Sequence, residues 1–266
     1  MHLKRWLTGI ILVPVLIYII GFAPRWLFYL LILTASLAGL TEYYGITASD
    51  LPKFIRRTSY CITVLIFVVF YMRQFLLVPV IIVLWAFIPM TFFMLRHDSP
   101  NQQWTADTGK SVLGPIYIVL PLAMLVLIDL QPNGKLWIFF LLVVIFAGDT
   151  GAFYFGRLFG KHKLYERISP GKTWEGAIGG LICGVISAFW FLHILRLHKI
   201  DLGMLVLVLA LSMMGQIGDL AESMLKRNHA VKDSGKILPG HGGMLDRIDS
   251  LLFSIPVLYL FLIWSI

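Results

Sequence analysis

An all-α, polytopic integral membrane protein with about nine transmembrane helices is predicted by three observations. The 266-residue chain is 59% hydrophobic and 14% charged, with a mean hydropathy of +0.85, whereas soluble domains run at about 45–50% apolar residues. Its apolar residues gather into runs near the roughly 20 positions a helix needs to cross a bilayer. The remaining charges sit in short segments between those runs. No polar stretch is long enough to form a soluble domain, so residues 1–266 are read as a single membrane-embedded domain. The net charge of +8 is dispersed over inter-span loops, which suits topology and anionic lipid or nucleotide phosphates and gives no reason to expect nucleic acid. Cys61 and Cys183 lie in separate apolar runs without metal-ligand spacing, and are read as small buried hydrophobes.

Taken in order, Met1 to Arg5 is a short basic start and Trp6–Ile20 is apolar. That layout resembles a signal peptide, but it lacks a small-residue cleavage site and another apolar run follows at once, so it is read as an uncleaved first span. The next spans run at about Trp26–Leu40, Ser59–Leu76, Leu77–Leu95, Val112–Leu130, Leu136–Phe155, Trp174–Leu195, Leu202–Ile217 and Leu251–Ile266. Between the third and fourth, Arg73-Gln74 must form a tight hairpin, and Ser99 to Thr108 reads as an exposed loop. With the N-terminus in the cytoplasm, 17 Lys and Arg fall on inner segments and five on outer ones. That bias orients the chain, puts the C-terminus outside, and places the segments 148–173 and 219–249 on the cytoplasmic side together.

The segment from Asp219 to Asp249 holds much of the polar chemistry. Asp219, Glu222, Ser223, Lys226 and Arg227 stand at i, i+3, i+4, i+7 and i+8, so one helical face carries acids and then bases. Pro239, Gly240, His241, Gly242 and Gly243 follow as a backbone too glycine-rich for regular structure and suited to close approach by a ligand. Asp246 and Asp249 then recur one helical turn apart, flanking Arg247. Upstream, Asp149 lies between Gly148 and Gly151 at the cytoplasmic end of the sixth span, where a carboxylate is usually paired or functional. Ser169-Pro170-Gly171-Lys172-Thr173-Trp174-Glu175-Gly176 reads as a helix start with Ser169 as N-cap and Pro170 in first position, able to receive a phosphate. It is not a Walker A loop, because Glu166 stands where that motif needs its first glycine. His193 and His198 read as interfacial residues.

The run Ser223, Leu225-Lys226-Arg227, Lys232-Asp233, Gly235, Leu238-Pro239, His241-Gly242-Gly243-Met244 and Asp246-Arg247-Ile248-Asp249 resembles the signature of the phosphatidate cytidylyltransferases, or CDP-diacylglycerol synthases. No signature position is unmatched. The segment 169–176 is similar to a second patch of that family, with Gly171 where a basic residue is common. The resemblance implies transfer of the cytidylyl group of CTP to phosphatidic acid, giving CDP-diacylglycerol and pyrophosphate in phospholipid biosynthesis. It implies Mg2+ at Asp219 and Asp246, with Asp249 and Asp149 as second choices, and leaves a second cation open. Lys226 and Arg227, with the two metal-site acids, are the expected catalytic residues. Lys172, Ser223, Lys232, His241 and Arg247 are the expected substrate-binding residues. The plainer reading of the acids is a buried ionic network, and that of the bases is inner-leaflet anchoring.

The chemistry suits the residues. A lipid phosphate is already anionic near neutral pH and needs no strong base, so alignment and relief of charge repulsion carry the reaction. An ion-coupled transporter is the rival of a different class, since intramembrane acids and glycine-broken helices serve ion coupling too. The charges nevertheless cluster at one face, and no inverted repeat is seen. A CTP-dependent lipid kinase is the rival enzyme. The expected partners are CTP, phosphatidic acid and the bilayer, with a homodimer left open. The compact chain resembles bacterial members, which implies the cytoplasmic (inner) membrane with a cytoplasmic active site.

Overall fold

The computed structural model of the protein describes residues 2–96, 104–235, 237 and 242–264, with side chains from Leu12 onward. The order is α1 (His2–Gly21), α2 (Arg25–Thr47), α3 (Lys53–Tyr71), α4 (Val78–Leu95), α5 (Trp104–Gly114), a π-helical turn (Pro115–Val119), α6 (Leu120–Asp129), α7 (Gly134–Phe159), strands β1 (Lys163–Tyr165) and β2 (Ser169–Thr173), α8 (Trp174–Leu195), α9 (Leu202–Asn228) and α10 (Leu245–Trp264). Eight helical stretches among the described residues are long and apolar enough to cross a membrane, and α1 adds a shorter apolar piece, Leu12–Gly21. The all-α membrane architecture is as expected, and the count of about nine stands as an approximation.

The described chain divides into two compact units, Met1–Val126 with Asp233–Leu245, and Leu127–Lys232 with Asp246–Ile266. In the first unit, Arg73 takes a left-handed φ of 57° and a 3-10 turn at Phe75–Leu77 follows, which makes the tight α3–α4 hairpin expected at Arg73-Gln74. The expected loop at Ser99–Thr108 is corrected in its described part. Residues 104–108 already belong to α5, and helix runs unbroken from Trp104 to Asp129. Pro115 has no N–H to give Ser111, four residues earlier. The freed Ser111 carbonyl instead accepts from the buried Tyr44 hydroxyl at 2.9 Å, and that hydroxyl also lies 2.9 Å from Ser59 Oγ. The π turn begins at this proline, as helix irregularities commonly do.

In the second unit, α7 and α8 pack through small residues. Gly148, Ala152 and Gly156 recur every four positions on α7, and Gly176, Gly180 and Gly184 do so on α8. A Cβ on Gly180 would lie 2.8 Å from the Gly148 carbonyl oxygen, and one on Gly176 would lie 2.8 Å from that of Ala152. Close backbone approach of this kind is how helices associate where lipid removes the hydrophobic drive between them. The other face of α8 exposes Ile178, Ile182, Ile186 and Trp190, an apolar face suited to lipid.

The expected helix start at Ser169 is also corrected. Ser169–Thr173 is strand β2, paired antiparallel with β1 in the register Lys163↔Thr173 and Tyr165↔Ser169. Pairing consumes the segment, and Pro170 is tolerated there because a two-stranded ribbon consists of edge strands only. Helix α8 begins at Trp174, and Thr173 is the N-cap, its hydroxyl accepting from Gly176 N–H at 3.1 Å.

Candidate active site

The acid–base face read on the sequence exists on α9, which continues unbroken to Asn228 and carries Asp219, Glu222, Ser223, Lys226 and Arg227. Asp246 and Asp249 stand on the first turns of α10, and Asp149 lies inside α7 well before its end at Phe159. The strand β2 brings Lys172 to the same place.

Two ion-paired groups result. Lys172 Nζ lies 2.8 Å from Asp219 Oδ2, and Ser223 Oγ donates to Asp219 Oδ1 at 3.4 Å. One turn further along α9, Lys226 Nζ lies 2.7 Å from Asp246 Oδ1 and 2.5 Å from Glu222 Oε2. Glu222 is only 1% exposed, so its charge is stable there only with the ammonium beside it. Asp149, Asp219 and Asp249, contributed by three different helices, stand close enough to act on one another electrostatically. Asp249 Oδ1 accepts from the Ser250 N–H at 2.7 Å. The close passage of α9 and α10 needs a glycine, since a Cβ on Gly218 would lie 2.5 Å from the Asp249 carbonyl oxygen.

The remaining expected residues are placed differently. Arg227 Nε donates to the Ile168 carbonyl at 3.3 Å, which ties α9 to the β1–β2 turn. Lys232 and Arg247 are exposed and take no part in the ion pairs named above. His241 lies outside the described residues. Two acids gain roles that sequence reasoning did not give them. Glu222 was visible on the α9 face but had no assigned role. Glu42, buried on α2, accepts from Ser234, Met244 and Leu245. The span expected from the sequence ends at about Leu40, two residues before Glu42, whereas α2 continues to Thr47 and makes Glu42 the one acid inside that helix, where such a residue commonly marks a structural or functional need.

The donor set suits a hard divalent cation in kind, because carboxylate oxygens are what magnesium and calcium take. Among the described residues no three His, Cys, Asp or Glu side chains form a ready-made cage. Magnesium does not require one, being commonly held by one or two carboxylates with water and substrate phosphate oxygens completing its shell. Clustered carboxyl groups beside lysines that can grip phosphate fit that mode.

An integral membrane protein with a charged cluster built from the ends and inner turns of its helices is the class these features define. The chain belongs to the cytidylyltransferase family, whose model matches residues 3–264. It is 42% identical over 178 residues to the phosphatidate cytidylyltransferase of Staphylococcus saprophyticus, which spans 66% of this chain and 68% of the relative. The phosphatidate cytidylyltransferase of Staphylococcus haemolyticus is likewise 42% identical over 178 residues, with the same shares. That of Staphylococcus aureus strain COL is 39% identical over 187 residues, 70% of this chain and 71% of the relative.

Proposed function

We propose that this chain transfers the cytidylyl group of CTP to phosphatidic acid. A phosphate oxygen of the lipid forms a bond to the α-phosphorus of CTP, the bond from that phosphorus to the bridging oxygen of the β-phosphate breaks, and pyrophosphate departs with that oxygen. The reading is carried by one observation above others: acids and bases of the two polar segments meet in ion-paired contact, Lys226 with Asp246 inside the signature and Lys172 of the 169–176 patch with Asp219 just ahead of the signature. Those lysines are held by acids until polyphosphate arrives. Lys172 and Lys226 then grip phosphate oxygens, Ser223 donates a hydrogen bond, and Arg227 braces the hairpin that carries Lys172. Lys232, His241 and Arg247 complete substrate binding. Asp219 and Asp246 would hold Mg2+, with Asp249 and Asp149 in support, and the bound ion would supply Lewis-acid relief of charge on the phosphates.

The reaction belongs at the cytoplasmic face of a bacterial inner membrane, where the lipid phosphate and the soluble nucleotide can meet. The positive-inside distribution of Lys and Arg supports that orientation. The transporter and lipid-kinase readings gain no support from the relatives. The decisive assay gives membranes containing the chain CTP labelled at the α-phosphate, Mg2+ and phosphatidic acid, and counts label extracted into organic solvent. Label that requires phosphatidic acid and vanishes in Asp246→Ala is the expected result. Transfer from γ-labelled CTP alone would make the protein a lipid kinase and overturn the proposal.

A further inference from the structure

Helix α2 carries Glu42 in its interior, only 6% exposed. A carboxylate survives such burial only when its oxygens are satisfied. The partners come from the two margins of the glycine-rich signature loop. Oε2 accepts from the Ser234 hydroxyl at 3.1 Å and from the Leu245 N–H at 2.8 Å, while Oε1 accepts from the Met244 N–H at 2.9 Å. The chain leaves room for this. A Cβ on Gly243 would collide with Ser234 Oγ and the Glu42 carboxylate, and one on Gly235 would collide with the same carboxylate. Gly243, expected to admit a ligand, therefore admits Glu42, and so does the signature glycine Gly235. Leu245 opens α10, so the carboxylate satisfies a backbone donor that the helix itself leaves orphaned, at the end where negative charge is favoured. The residue that follows in the chain is Asp246.

We infer that Glu42 is a positioning residue. By holding Ser234 and Met244-Leu245 it clamps both margins of the signature loop, fixes the first turn of α10, and thereby fixes the backbone that carries Asp246. The role rests on the cytidylyl-transfer reading and adds to it a residue far from the signature in sequence. Partners that orient metal-holding groups typically matter about 10- to 100-fold in metal affinity or activity.

The test uses the full-length protein in lipid nanodiscs with Glu42→Gln, which keeps the shape but replaces one acceptor oxygen with a donor. Amide hydrogen exchange at Met244 and Leu245 is expected to accelerate while α3 exchanges as before. The Mg2+ concentration for half-maximal lipid labelling from α-labelled CTP is expected to rise about 10-fold. Gly243→Ala, which crowds the same carboxylate, is expected to produce both changes and stands in if Glu42→Gln does not fold. Unchanged exchange at Met244 and Leu245 overturns the clamp. Accelerated exchange with an unchanged Mg2+ requirement reduces Glu42 to a structural cap and overturns the positioning role. If the unsubstituted protein labels no lipid at all, the transfer reading fails, and with it the positioning role, while the exchange data still decide whether Glu42 clamps the loop.

Discussion

Lys226 shows how much a single position can carry. Its ammonium stands between Glu222 and Asp246 with a side chain only 13% exposed. Half of this arrangement was legible in the sequence, because Glu222 and Lys226 are four residues apart and must share a helical face. The other half was not, since nothing in local spacing brings Asp246 to Lys226 from twenty residues away; only the signature pattern associated them. Lys226→Met should therefore do two separable kinds of damage. It removes a phosphate-gripping cation, so lipid labelling from CTP should fall to background. It also strands Glu222, and breaking a buried pair in this way costs about 3–5 kcal/mol. Thermal unfolding in detergent should show that loss. The double substitution Lys226→Met with Glu222→Gln should recover much of the stability and none of the activity. Recovery of neither would mean that Glu222 is not held by Lys226.

At the scale of elements, the outcome turned on which partner a segment found. Ser169 and Pro170 have the composition of a helix start, yet pairing with Lys163–Tyr165 makes them a strand and moves the cap to Thr173. Local propensity could not foresee the ribbon because the competing interaction lies across a turn. The glycines of α7 and α8 show the opposite case. Their four-residue recurrence is plain in the sequence, but its purpose appears only where two backbones touch. Gly180→Leu should push those helices apart and destabilise the protein by about 1–3 kcal/mol, as overpacking does. Ile178→Leu, on the exposed face of the same helix, should leave the unfolding temperature unchanged. Equal effects from the two would mean that the α7–α8 interface is not close-packed at Gly180.

For the whole molecule, the consequential expectation is orientation. Seventeen of the 22 Lys and Arg fall on segments assigned to one side, a bias that reflects how bilayers and insertion machinery treat positive charge. In a background of Cys61→Ser and Cys183→Ser, Lys161→Cys should react with a membrane-impermeant thiol reagent only in inverted vesicles. Lys199→Cys should react only in right-side-out ones. The reverse pattern would put the Lys172–Asp219 and Lys226–Asp246 pairs on the face away from CTP and defeat the proposed reaction in a cell.

Composition and hydropathy alone required a helical membrane protein, because an unpaired backbone in hydrocarbon is intolerable and runs of about 20 apolar residues can satisfy it only as helices. Helical spacing alone required an acid–base face on α9. The tertiary structure decided which charges meet: Lys172 with Asp219 across a strand and a helix, Asp246 with Lys226 across two helices, and Glu42 with a loop some 200 residues away. For the buried groups, Lys226 with Asp246 and Glu42 with its loop, the pairing follows from desolvation. A buried charge must find a partner wherever the fold places one, and the identity of that partner is a property of packing in space, not of distance along the chain.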